Sequence, residues 1–422
     1  MTRPRVVIVG GGFGGIEAAK ALRRLAVDVT VIDRNNHYVF QPLLYQVATA
    51  DLAPGQIAAP IRQILRRQRN TEVLMAEVVG VDLVTRRVHF DIEGAGATIE
   101  HKEQSYDVLI LSTGVQQSYF GHDEFARFAP ALKTLEDATS VRSTILRSFE
   151  LAEVEDDPER RKALLTFVLV GGGPTGVEMA GALADLAHVT MVKDFRHIDP
   201  TTARVVLIEA GPRILPTFAE SLAERAHQQL VSMGVEIRTG APVKLVDAEG
   251  VVIGDERLRS ASVLWTAGVK PSPAAAWLGA PTDRPGRVLV QGDLTVAGHP
   301  NVFVIGDVAS LEQDGKALPG VAQVAMQQGR YVGKVIARRL AGAAAPKPFR
   351  YFDKGNMAVV GRNFALLEAQ KLRLSGFPAW LAWAFIHINY LAQFNNKLLV
   401  MAQWAWTYVT RQRGSRLILG RH

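Results

Sequence analysis

The pattern Gly-x-Gly-x-x-Gly occurs twice in the chain, on Gly10, Gly12 and Gly15 and again on Gly171, Gly173 and Gly176. Each copy follows a short apolar run, Val6-Val7-Ile8-Val9 or Phe167-Val168-Leu169-Val170, and leads into an Ala-rich stretch of helix formers. That context gives the pattern its chemistry. The first Gly allows a tight turn, the second lets the backbone approach a pyrophosphate, and the third lets helix pack on strand, so the phosphates meet a helix N-terminus. The expected fold is therefore α/β, with two Rossmann-like dinucleotide-binding domains. An acid that closes the second strand of such a unit accepts hydrogen bonds from ribose hydroxyls. Asp33 and Glu209 stand at those places, and either could also be an ordinary strand-end carboxylate. The longer spacing to Glu209 reflects an insertion around 192–202, to which the sequence assigns no structure. In the second unit the acid also repels a 2′-phosphate, which favours NADH over NADPH, although Arg213 is close enough to blur the preference.

With 422 residues there is room for two or three domains, and 48% hydrophobic with 21% charged residues is a globular composition. The first residues run directly into a strand, so no signal or transit segment is expected. Cysteine is absent, which removes disulfides, thiolate metal ligands, iron-sulfur clusters and thiol redox chemistry. The histidines show no metal-ligand spacing, and no P-loop, Ser/His/Asp set or paired-carboxylate pattern stands out. The net charge of +7 has a location: Lys371, Arg373, Lys397, Arg411, Arg413, Arg416 and Arg421 follow residue 369 with no acidic residue among them. The rest of the chain balances to zero. Four of the six tryptophans, Trp380, Trp383, Trp404 and Trp406, lie in the same tail. Cations flanking an indole-rich apolar segment suit an anionic membrane surface better than a nucleic acid, at roughly 1 kcal/mol per cation near the surface.

Along the chain, residues 72–92 alternate like a meander, and Tyr106–Ser112 reads as a buried strand ending at Thr113-Gly114. The second unit starts near Ala163 and reaches its second strand at 205–208. A further buried strand at 302–305 ends at Gly306-Asp307, with a helix expected over 322–340, a linker at 341–348 and a short β piece at 357–360.

Two glycine units, Thr113-Gly114 after a strand, and Val304-Ile305-Gly306-Asp307 late in the chain together resemble the flavoproteins with two dinucleotide-binding domains. Within them, three segments are similar to those of the type II NADH:quinone oxidoreductases: His37-Tyr38-Val39-Phe40-Gln41-Pro42-Leu43-Leu44-Tyr45, Gly173-Pro174-Thr175-Gly176-Val177-Glu178 and Ala322-Gln323-Val324-Ala325-Met326-Gln327-Gln328-Gly329. The resemblance implies an FAD domain made of residues 1–120 and 286–345, an NADH domain at 121–285, and a membrane-anchoring, quinone-access region at 346–422. For FAD it implies Gly10, Gly12, Phe13, Gly14, Gly15, Asp33, Arg34, Pro42, Leu43, Thr113, Gly114, Gly306, Asp307, Ala322 and Gln323. Gly306 would allow close approach and Asp307 would bond the ribityl chain. For NADH it implies Gly171, Gly173, Pro174, Thr175, Gly176, Glu178, Glu209 and Gly268. NADH would pass a hydride to the flavin, which would pass two electrons to a quinone; no metal is implied.

Glu178, on the first turn of the helix after the second glycine turn, would orient the nicotinamide and tune proton movement. The plainer alternative is a carboxylate that stabilises a helix N-terminus. Gln323 and Gln327 are four apart and share a helix face. They would bond quinone or the flavin ring, unless they form only a solvated flank. His387 would bond or protonate quinone, or be structural. The stretch from Phe377 to Tyr408 never gives some 18 uninterrupted apolar residues. Helical spacing puts Trp380, Trp383, His387 and Tyr390 on one side, as in an interfacial helix. The expected location is peripheral, on the cytoplasmic face of the cell membrane, with a spanning helix, a core helix or a homodimer face as alternatives. Rival functions are a ferredoxin- or rubredoxin-type reductase and a flavin-binding redox sensor.

Overall fold

The computed structural model describes residues 3–94 and 98–419, so Met1 and Arg421 lie outside the described residues. The chain forms two compact units. One comprises Met1–Tyr38, Ala59–Gln116 and Val269–Asp353, the other Val39–Ala58, Gln117–Gly268 and Lys354–His422.

The first unit is built on a six-stranded sheet in the order Thr295–Val296, His299–Val304, Val108–Leu111, Arg5–Val9, Asp28–Asp33, Thr71–Met75. Every neighbouring pair is parallel except the one at the Thr295–Val296 edge. Strands buried on both faces need continuous apolar runs, and Val6, Val7 and Ile8 are fully buried. Thr71–Met75 belongs to this sheet and not to the meander expected over 72–92. Its register is fixed by parallel pairing with Asp28–Asp33, which period-two alternation cannot reveal. The meander is Glu77–Asp82, Arg87–Glu93 and Ile99–Ser105. Helices Phe13–Leu22 and Ala322–Leu340 pack on each other.

The second unit has a four-stranded parallel sheet, ordered Val235–Arg238, Arg204–Ile208, Thr166–Val170, Ser262–Trp265. Helix Pro174–Asp185 follows the second glycine turn and runs into a π turn at Leu186–Thr190. The insertion then crosses as a loop to a single 3-10 turn at Pro200–Thr202. The Glu153 carboxylate holds that loop by accepting the backbone N–H groups of Arg196, His197 and Ile198. A three-stranded antiparallel sheet, Asn356–Val359, Ala365–Ala369 and Leu372–Gly376, precedes the tail.

The tail is two helices, Phe377–Tyr390 and Phe394–Thr410. The face expected to meet lipid is turned inward instead. Trp383 is 1% exposed, its ring 4.5 Å from that of His387 and 5.1 Å from that of Trp404. The outward stripe is Phe377, Leu381 and Phe385 on the first helix, with Phe394, Leu398 and Val409 exposed on the second. The first helix is apolar nearly all round, so spacing alone could not tell inside from outside. The tail's cations divide as well: Arg413 is buried and paired with Asp185 at 2.7 Å, and Arg416 pairs with Asp194. Those two charges serve the fold and not a surface.

Candidate functional site

The two glycine turns are built alike. Gly10 and Gly171 have φ of +98° and +116°, open to glycine without strain, and each donates its N–H at 2.8 Å to the end of the second strand, Ile32 or Ile208. A Cβ on Gly15 would lie 1.8 Å from the Gly10 carbonyl oxygen, and one on Gly176 would lie 1.9 Å from that of Gly171. A Cβ on Gly12 or Gly173 would meet nothing within 4 Å, so at these positions the backbone faces open space. Neither helix has a side-chain cap or an acid in its first turn. Their leading N–H groups are thus left for an anion.

Each strand-end acid holds its own turn. Asp33 accepts the Gly11 N–H at 2.6 Å and the Asn35 N–H at 2.8 Å; Glu209 accepts those of Gly172 at 2.6 Å and Gly211 at 2.7 Å. Burial pushes the Asp33 carboxyl up, against these N–H groups, which pull it down. Both acids are fixed where a ribose would sit beside the glycines. Arg34 is exposed. Arg213 does not stand free to bind a 2′-phosphate, because its guanidinium donates to the carbonyls of Leu215, Pro216 and Phe218. A dinucleotide therefore fits either turn, and at the second the acid is not countered by Arg213.

Two hydroxyls that the sequence reading missed complete the symmetry. Ser112 Oγ donates to the Gly10 carbonyl at 2.7 Å, and Thr266 Oγ1 to that of Gly171 at 3.0 Å. Both precede a left-handed glycine two residues on, Gly114 (φ +65°) and Gly268 (φ +70°). The signal was present as Ser-Thr-Gly and Thr-Ala-Gly after buried strands. Thr113 Oγ1 bonds Ser272 Oγ. Gln328, 1% exposed and also missed, accepts the N–H of Gly306 at 2.6 Å and so fixes the turn carrying Asp307. Ala322 and Gln323 lie half-buried at the start of the same helix. Gln327 shares the helix with Gln323, but its amide both donates to and accepts from the Phe352 backbone, at 2.9 and 3.0 Å. Its polar ends are committed within the first unit.

In the second unit Pro174 and Thr175 are exposed at the helix start, and Pro42 with the fully buried Leu43 forms a 3-10 turn. Glu178 is the fifth residue of helix Pro174–Asp185, so it lies on the second turn and not the first. Stabilisation by the helix terminus falls off within one turn, which removes the plainer alternative. The carboxyl has one backbone partner, the Val359 N–H at 3.3 Å to Oε1, and burial pushes it up to about 8. At neutral pH it holds a proton. His387 is the reverse case. Burial lowers it to about 4, so the ring is neutral, with Nδ1–H donating to the Trp383 carbonyl at 2.8 Å. Nε2 is then an acceptor only, which suits a structural or positioning part and not the proton donor suggested by the sequence. No group of His, Asp or Glu able to hold a metal ion occurs among the described residues.

Comparison with known proteins adds to this geometry. A family model described as pyridine nucleotide-disulphide oxidoreductase matches residues 4–329. The type II NADH:quinone oxidoreductase Ndh of Mycobacterium tuberculosis is 46% identical over 99% of the chain and 90% of its own length. The internal alternative NAD(P)H-ubiquinone oxidoreductase A1 of Arabidopsis thaliana mitochondria is 31% identical over 98% of the chain and 86% of its length. The solved structure of NDH2 from Plasmodium falciparum in complex with NADH aligns with a TM-score of 0.89 at 19% identity, over 99% of this chain and 100% of that one. At that identity the likeness is one of fold.

Proposed function

The chain belongs to the type II NADH:quinone oxidoreductases, within the pyridine nucleotide-disulphide oxidoreductase family, and from that premise we propose how its residues divide the reaction. It is an FAD-dependent enzyme that takes a hydride from NADH and delivers two electrons to a quinone without pumping protons. The protein-acceptor and redox-sensor readings are not favoured. Bound flavin supplies the hydride acceptor and electron carrier; the protein supplies alignment and charge.

FAD belongs on the first glycine turn, with Asp33 at its ribose and Asp307, on the turn fixed by Gln328, at its ribityl chain. NADH belongs on the second turn, with Glu209 at its ribose. The observation that carries this assignment is the repeated turn, with Gly12 and Gly173 facing open space and uncapped helix ends behind them. Glu178 is the proton donor to quinone and Gln323 a hydrogen-bond donor to a quinone carbonyl. Gln327 instead positions Phe352. Losing one hydrogen bond of ~1.4 kcal/mol raises a dissociation constant about tenfold, so Gln323→Leu should raise the quinone KM by roughly that factor. A wild-type KM would remove Gln323 from the quinone site.

Enzymes of this family associate with membranes, and no helix among the described residues is long and apolar enough to cross one. We assign peripheral attachment, on the cytoplasmic face, to the stripe Phe377, Leu381, Phe385, Phe394, Leu398 and Val409. Truncation before Phe377 is a poor test because it also strips Trp383, Val400 and Arg413 from the protein interior. Phe385→Asp with Phe394→Asp leaves that interior intact. At ~1.5–3 kcal/mol per buried aromatic, the pair should weaken cosedimentation with anionic vesicles by about 10²-fold or more. If the stripe joins two copies of the chain instead, the pair will change the oligomeric state and leave cosedimentation unaltered.

A further inference from the structure

We propose that the cavity lined by Ala182, Asp185 and Val359 is a water-filled proton chamber, in which Asp51 resupplies the proton that Glu178 gives to quinone; this rests on the reading of Glu178 above. On helix Pro174–Asp185, Glu178, Ala182 and Asp185 follow at i, i+4 and i+7 and share one face. Ala182 and Asp185 line a cavity of ≈ 70 Å³, as does Val359, whose N–H meets the Glu178 carboxylate. Asp51, Arg413 and the exposed Tyr408 also line it.

Four buried atoms on residues lining this one cavity have no hydrogen-bond partner among the described residues: Asp51 Oδ1, Arg362 Nε, Arg413 Nε and Trp383 Nε1. Trp383 and Arg413 are only 1% and 6% exposed, so bulk water does not reach them freely. Each such atom left dry costs ~1–3 kcal/mol, and native proteins rarely leave several together. A polar cavity needs only roughly 10–15 Å³ to admit a water, and at ≈ 70 Å³ this one exceeds that several times over. Ordered water is the one occupant that satisfies two donors from Arg, one from Trp and an acceptor on Asp together.

Burial pushes the Asp51 carboxyl up, while Arg413, Thr407 and Arg362 pull it down and Asp185 pushes it further up. Tyr45 lines the same cavity, and its hydroxyl accepts from the Gln46 side-chain amide at 3.1 Å. Its own proton stays on, since burial raises it far above the usual phenol range. Asp51 lines the same cavity as Arg413, whose guanidinium is pinned by the Thr49 and Ala182 carbonyls and by Asp185, and it is the carboxyl assigned to exchange a proton with chamber water.

The step balances. Quinone takes two electrons and two protons to become quinol; NADH supplies both electrons and one proton as hydride, through the flavin. The second proton comes from Glu178: its O–H bond breaks and an O–H bond forms on the quinone oxygen. The carboxylate then takes a proton from chamber water, that water takes one from Asp51, and Asp51 takes one from bulk water at the rim.

The test uses full-length, flavin-loaded protein in single-turnover stopped flow. Asp51→Asn should leave reduction of the flavin by NADH unchanged and slow its reoxidation by a short-chain quinone analogue about tenfold, below the ~10²–10⁴-fold of a general acid in direct contact. The solvent deuterium effect on reoxidation should rise. In infrared difference spectra, reoxidation should be accompanied by a carboxyl change that Asp51→Asn removes. Should that variant lose its flavin, Ala182→Leu, which fills the chamber, should give the same slowing. Unchanged reoxidation with an unchanged isotope effect in the folded variants overturns the chamber. If Glu178→Gln also leaves reoxidation unchanged, the reading of Glu178 itself fails; if only Glu178→Gln slows it, the chamber alone fails.

Discussion

Gly176→Ala should abolish reduction of the flavin by NADH while leaving FAD bound. The added methyl would lie 1.9 Å from the Gly171 carbonyl oxygen and 2.8 Å from Thr266 Oγ1, and neither is the far end of a flexible side chain. Helix and strand must separate, which moves the N–H groups that hold the pyrophosphate. Misplacing a bound reactant by about 1 Å costs on the order of 10²-fold in rate, and that is the least expected here. The same change in the first unit, Gly15→Ala, forces a contact of 1.8 Å with Gly10 and should cost the flavin itself. Absorbance of the purified variants, followed by stopped-flow mixing with NADH, separates the two. Normal flavin reduction in Gly176→Ala would mean that NADH does not use the second turn.

Glu178→Gln should change stability and catalysis in opposite directions. The carboxyl ionises near 4.5 in an unfolded chain and at about 8 when folded. Below about pH 4.5 it is neutral in both states, so it sets no pH slope. Between these values the folded state binds the extra proton, so stability falls as pH rises, at up to ~1.4 kcal/mol for each pH unit crossed, and levels off above about 8. Gln carries no such penalty. The melting temperatures of variant and wild type should therefore converge near pH 5 and diverge in favour of Gln by pH 8. In single turnovers the wild-type rate of flavin reoxidation by quinone should fall as pH passes about 8, because only the protonated acid donates. The variant should be slower by ~10²-fold or more, without that fall. Parallel melting curves across this range would show that Glu178 is solvated and ionised like a surface acid.

Much of this was legible in the sequence because it is local. The glycine turns, the strand-end acids Asp33 and Glu209, and the helix over 322–340 each follow from spacing within a few dozen residues. What stayed hidden depends on distant segments. Thr71–Met75 takes its register from a strand some forty residues earlier. Gln327 and Gln328 are neighbours in sequence, yet one is tied to Phe352 and the other to Gly306. The tail showed its composition but not its orientation, because its first helix is apolar nearly all round and packing against Trp404 of the second helix decides that Trp383 faces in. Arg413 looked like one surface cation among seven, and its pairing partner, Asp185, is 228 residues away.

The central claim is that one chain couples NADH to quinone through two dinucleotide turns. The most direct test is the initial rate of NADH oxidation by purified, detergent-solubilised, FAD-loaded protein, with and without a water-soluble quinone analogue. The account predicts rapid turnover that requires the quinone. Flavin that NADH reduces but that no quinone reoxidises would contradict it, and would turn the search to a protein acceptor.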